Sequence, residues 1–222
     1  MQKFDTTAPI SAIFDIPAGN IRFIAADRVD TTVEVRPADA AKGHDVKAAE
    51  QVTVEFGDGV LRIGASPAKN RILGNSGSVE VTVQLPAGSR VEGKAAAAGF
   101  RGVGRLGDVA FEGARGSVEL DEAASARLTL LSGDVSVGRL AGPAEISTEK
   151  GDIRIAEAVR GTVTLRTLAG DVSVGVARGV CASLDAGTTH GRIHNALRNT
   201  DGVADLDIHA TTGHGDIVAR SV

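Results

Sequence analysis

The sequence contains no tryptophan and no tyrosine, a single cysteine, and only 3% aromatic residues. Each scarcity removes a class of function. Without Trp or Tyr there is no platform for stacking bases or sugar rings and no aromatic belt for a membrane surface. A net charge of -4 with both signs interspersed gives no basic stripe for a phosphate backbone, so neither nucleic acid nor membrane is expected as a partner. The one cysteine, Cys181, allows no internal disulfide framework and is read as a small packing residue in a reducing, cytoplasmic compartment. The opening stretch, Met1 to Ile10, lacks the apolar run of a signal peptide, and no later segment approaches the ~18 apolar residues of a spanning helix.

What is abundant is glycine, 28 residues of 222, which with so few rings describes short strands and many turns. The glycines are periodic. Gly133-Asp134-Val135-Ser136-Val137, Gly151-Asp152-Ile153-Arg154-Ile155 and Gly170-Asp171-Val172-Ser173-Val174 are three copies of one phrase. Gly107-Asp108-Val109 precedes them, and Gly191-Arg192-Ile193-His194 and Gly215-Asp216-Ile217-Val218 follow, at intervals from Gly133 of 18, 19, 21 and 24 residues. Between the phrases lies a second alternating segment, aligned as Ala144-Glu145-Ile146, Val163-Thr164-Leu165, Ala182-Ser183-Leu184 and Leu206-Asp207-Ile208. Each repeat therefore holds two strands, with Val135, Val137, Ile153 and Ile155 on one face and Ser136 and Arg154 on the other.

One repeat cannot bury its own apolar face, but copies stacked about 4.8 Å apart pair strand with strand and share a thin core. The expectation is an all-β protein: a parallel β-solenoid of two-strand repeats over 96–222, preceded by a β-rich capping region over 1–95. In that region Val52 to Ile63 reads as a hairpin turning at Gly57-Asp58-Gly59. Residues 37–51 fit a short helix or a loop, and the alanines between Lys94 and Gly99 read as strand.

These residues carry a resemblance. The phrase Leu131-Ser132-Gly133-Asp134-Val135-Ser136-Val137 and its copies, Leu85-Pro86-Ala87-Gly88-Ser89, and the Gly191-Arg192-Ile193 and Gly215-Asp216-Ile217 endings are similar to the bacterial β-strand-repeat family labelled "putative adhesins". The resemblance covers nearly the whole chain and implies a β-solenoid with no established activity.

Several strings in the sequence match catalytic or ligand-binding motifs in form. Gly102-Val103-Gly104-Arg105-Leu106-Gly107 matches the dinucleotide fingerprint in form, but a strand rather than a helix follows, so it reads as a solenoid corner. Asp134, Asp152 and Asp171 are expected to stack as a ladder, each bonding its own turn backbone, with Arg192 interrupting the row before Asp216. His190 and His194 lie about 13 Å apart along a strand, whereas His190 and His214 both precede a repeat glycine and belong on adjacent rungs. No metal, cofactor or catalytic residue is assigned, since no Gly-x-Ser-x-Gly, His-Glu-x-x-His or cysteine pair occurs.

The expected function is a non-catalytic scaffold or interaction module, its partner another copy or an unidentified protein. The alternative is a binder or enzyme for a charged polymer, using the Asp ladder with outward Arg154 and Arg166. The last phrase, Gly215 to Val218, is expected to form the terminal rung, whose edge is either covered by the preceding insertion, Asn195 to Ala204, or left for self-association, the polar content of the insertion favouring the second.

Overall fold

The computed structural model describes residues 1–65, 77–199 and 203–222, and it divides into two compact units, Met1–Gly116 and Ser117–Val222. Both contain parallel rungs of two strands each; the second was expected from the repeated phrase, whereas the first was expected only as a β-rich cap. The 95/96 junction lies inside one long strand of the first unit.

In the first unit, β1 (Gln2–Asp5), β2 (Ser11–Asp15), β3 (Ala18–Ala26) and β4 (Asp30–Pro37) precede the helix α1 (Gly43–Glu50). After it come β5 (Val52–Gly57), β6 (Val60–Ala65), β7 (Val79–Pro86) and the bent β8 (Arg90–Arg115). Strand β2 pairs in parallel with β6 on one side and with residues 90–94 of β8 on the other. Strand β3 likewise lies between β7 and residues 97–104 of β8. Rungs thus stack in the order 60–65 with 79–86, then 11–26, then 90–104, so the earliest rung in the chain is second in space.

The outermost rung is closed by antiparallel strands. β5 pairs with β6 through a two-residue turn in which Asp58 and Gly59 have φ of 51° and 72°, while β4 pairs with β7 and β1 with β4. Residues 43–50 settle as helix, held by the buried Asp45 carboxylate, which accepts the Ser78 N–H at 2.8 Å and the Asp39 N–H at 3.2 Å. The core of this unit is aromatic. Phe14, Phe23, Phe100 and Phe111 are all at most 2% exposed and meet at centroid distances of 5.2 to 6.0 Å. Gly93 lies opposite Phe14 in register, and a Cβ there would fall 2.0 Å from the Phe14 ring.

The second unit contains β9 (Val118–Ser132), β10 (Val135–Leu140), β11 (Ala144–Lys150), β12 (Ile153–Ala158) and β13 (Gly161–Ala169). It continues with β14 (Val172–Val176), β15 (Ala182–His190), β16 (Ile193–Ala196), β17 (Leu206–His214) and β18 (Ile217–Ser221). One sheet runs β9-β10-β12-β14-β18-β16 and the other β9-β11-β13-β17-β15, all parallel. Its core is aliphatic, with Ile146, Ile153, Leu165, Val172, Ile208 and Ala219 showing no exposure.

The rung order corrects the sequence expectation. The last phrase in the chain does not form the terminal rung, because β17 and β18 insert between β13/β14 and β15/β16. The outer rung is β15/β16, and the reason lies in one side chain. Asn195 occupies the inward position that Val137, Ile155, Val174 and Ala219 hold elsewhere, all 2% exposed or less. A buried amide without partners costs several kcal/mol, so the rung bearing it is stable only at the end. Residue alignment also shifts: Ile208, not Leu206, stands opposite Val163. The two-residue slip preserves the alternation and keeps the same side chains inward.

Candidate functional site

The corner that begins each phrase of the second unit is a hydrogen-bonded column. Asp134 Oδ1 accepts the Asp152 N–H at 2.9 Å, Asp152 Oδ1 that of Asp171 at 2.9 Å, and Asp171 Oδ1 that of Asp216 at 2.8 Å. Asp216 Oδ1 then accepts the Arg192 N–H at 2.8 Å. Each carboxylate therefore bonds the next rung rather than its own turn, which corrects the local-turn reading. Arg192 ends the column instead of interrupting it. Its guanidinium also reaches Asp216 Oδ2 at 2.9 Å. The backbone and then the guanidinium of Arg192 hold the Asp216 carboxyl below the usual carboxylate range.

A second column runs beside the first. Thr167, Thr212 and Thr188 donate their hydroxyls to the carbonyls of Gly151, Gly170 and Gly215 at 2.9 to 3.1 Å. The corner glycines themselves stack without room for a side chain. Gly170 has φ of 153°, and a Cβ would lie 2.0 Å from the Gly151 carbonyl oxygen.

The acidic column has little of an active site about it. Asp134 and Asp171 are exposed, Asp152 and Asp216 half-buried, and one oxygen of each is committed to a backbone amide. Arg154 bonds Asp152 at 3.2 Å from β12, whereas Arg166 lies on β13 in the opposite sheet, so the two arginines do not share a surface. Residues 102–107 run as strand in β8, and a Cβ at Gly104 would lie 2.1 Å from the Ala25 carbonyl oxygen, which makes the dinucleotide-like string a close approach between rungs. Among the described residues no group of three or more His, Cys, Asp or Glu is placed to hold a metal ion.

His190 and His214 do meet. They pair in register, with ring centroids 4.6 Å apart and planes within 10°. His194 lies apart on β16, opposite Val218, and His209 contacts Asp185 at 3.4 Å.

Composition and spacing put the open edge on the last phrase, whereas it lies on β15/β16. Among the described residues, β15 pairs only with β17 and β16 only with β18. Inward side chains there are uncovered: Ile193 is 46% exposed whereas its register partner Ile217 is 1% exposed, and Leu184 is half-buried. One residue already treats this edge as a strand would. The Asn199 side chain accepts the Ala182 N–H at 3.0 Å and donates to the Ala182 carbonyl at 2.9 Å, reproducing the two bonds of a peptide neighbour.

Two-strand parallel rungs, glycine corners and rung-to-rung Asp and Thr columns define a β-solenoid repeat protein. The chain belongs to the Toastrack family, DUF4097, whose family model matches residues 16–220. No curated protein matches the chain. Similar solved structures include a "putative cell adhesion protein" of Clostridium sporogenes ATCC 15579, at 10% identity and TM-score 0.40 over 100% of this chain and 98% of that one. A "putative adhesin" of Bacteroides fragilis NCTC 9343 aligns at 13% identity and TM-score 0.48 over 98% and 95% of the two chains. One from Parabacteroides distasonis ATCC 8503 aligns at 11% identity and TM-score 0.33 over 98% and 95%.

Proposed function

We propose that the chain is a non-catalytic interaction module that pairs with a second copy of itself through the open rung β15/β16. The observation that carries this reading is the one-sided pairing of both strands of that rung, with Ile193 and Leu184 uncovered beneath it. An unpaired edge over an exposed apolar floor is a template for another strand. Charge favours a second copy as the occupant. The outward face of β15 carries Asp185, and the β16 side carries Arg192. A two-fold axis that sets β15 of one copy antiparallel to β16 of the other brings opposite charges together and buries both apolar floors. The reading extends to a cytoplasmic setting, which the single, buried Cys181 suits.

The charged-polymer alternative has less support, because the aspartates are exposed and bonded to backbone, and Arg154 and Arg166 face different ways.

Light scattering on the intact chain tests the proposal. A concentration-dependent dimer is expected, and Ile193→Lys should return it to a monomer with its circular dichroism unchanged. A strict monomer at high concentration overturns the reading.

A further inference from the structure

We propose that His190 and His214 form a two-imidazole site for a borderline divalent transition-metal ion, of the Cu2+, Ni2+ or Zn2+ class, that staples the outer rung to its neighbour. This inference does not depend on self-association. The two residues are register partners on β15 and β17, and their rings already lie parallel 4.6 Å apart. Metal–imidazole bonds of about 2.0–2.1 Å span at most about 4.2 Å between two nitrogens, so the two exposed rings close the site by rotating out of their parallel stack until one nitrogen of each points at a shared ion on the solvent side. Both side chains are exposed, which leaves the remaining coordination positions to water.

The backbone under the pair is anchored. The His190 carbonyl accepts the Gly215 N–H at 3.0 Å, and the His214 carbonyl accepts the Gly170 N–H at 2.9 Å. Neighbouring charge does not oppose a cation strongly. Arg192 is bonded to Asp216, and Lys150 stands two rungs from His214, beyond Ala169. Imidazole selects Cu2+, Ni2+ and Zn2+, whereas Ca2+ and Mg2+ require oxygen ligands.

The fold itself does not need histidine here. The same register position holds Ser132, Lys150 and Ala169 in the inner rungs, so alanine is compatible with the corner. At this register position imidazoles stand in the two outermost rungs, where β15 has a single strand neighbour and a cross-link adds most.

Calorimetric titration of the intact chain with Ni2+, and of His190→Ala, His214→Ala and His209→Ala, tests the proposal. One ion per chain is expected, bound at least about tenfold more weakly in either of the first two variants and unchanged in the third. Hydrogen exchange of residues 182–190 should slow with Ni2+ in the wild type and not in the double variant His190→Ala/His214→Ala. Equal binding by the double variant, or no saturable binding by the wild type, overturns the proposal.

Discussion

Asp171 Oδ1 accepts the backbone N–H of Asp216 at 2.8 Å although 45 residues separate the two in sequence. That bond places the C-terminal rung directly on the rung of Asp171 and pushes the intervening residues 182–196 outward. The next bond in the column, from the Arg192 N–H to Asp216, completes the same order independently of the strand register.

The column depends on its glycines. Gly170→Ala should lower stability by about 2–3 kcal/mol, since the new Cβ meets the Gly151 carbonyl oxygen at 2.0 Å and φ is 153°. Gly187→Ala, where nothing lies within 4 Å, should be close to neutral. Urea denaturation of the pair checks the contrast.

Inward residues should separate by rung. Leu165→Asp places an unpaired carboxylate in a site with no exposure and should cost several kcal/mol, enough to unfold the second unit. Ile193→Asp, at a 46% exposed position of equivalent alternation, should leave it folded. Equal thermal melting of these two variants would contradict the rung assignment.

The strands themselves were legible, because period-two alternation and the glycine phrase fix which side chains face inward whatever the stacking order. Stacking order was not, since every phrase offers the same backbone and the same corner to its neighbour. One signal was present in the sequence: Asn195 in a slot that otherwise holds Leu, Val, Ile or Ala. The N-terminal rungs were hidden for a different reason. Their inward positions carry Phe14, Phe23 and Phe100 with Gly93 as the complementary gap, a packing solution that leaves no repeated phrase. The adjacency of His190 and His214 was readable, because both precede a corner glycine on rungs that touch in either order.

That Phe14–Gly93 fit makes its own prediction. Gly93→Val should destabilise the first unit by about 1–3 kcal/mol through overpacking. Adding Phe14→Leu should cost less than the sum of the two single changes, because the smaller side chain vacates the contested space. Calorimetry on the four proteins measures the coupling, and simple additivity would sink it.

Acid should weaken the N-terminal cap. Asp30 bonds Arg28 at 2.7 Å and Lys3 at 3.1 Å, and these cations lower its pKa to about 2. A carboxyl depressed in the folded state contributes stability above its unfolded pKa and loses that contribution as pH falls toward the folded value. The melting-temperature gap between wild type and Asp30→Asn should therefore be constant near neutrality and close between about pH 4 and pH 2. A gap that persists at pH 2 would contradict the assignment.

The inserted rung is the central structural claim, and native-state hydrogen exchange followed by mass spectrometry tests it most directly. Strands β17 and β18 have neighbours on both sides, whereas β15 and β16 have one each within the chain, so in the monomeric Ile193→Lys protein amides of 206–221 should exchange far more slowly than those of 182–196. Slower exchange in 182–196 than in 206–221 would mean that the rungs stack in chain order and would contradict the account.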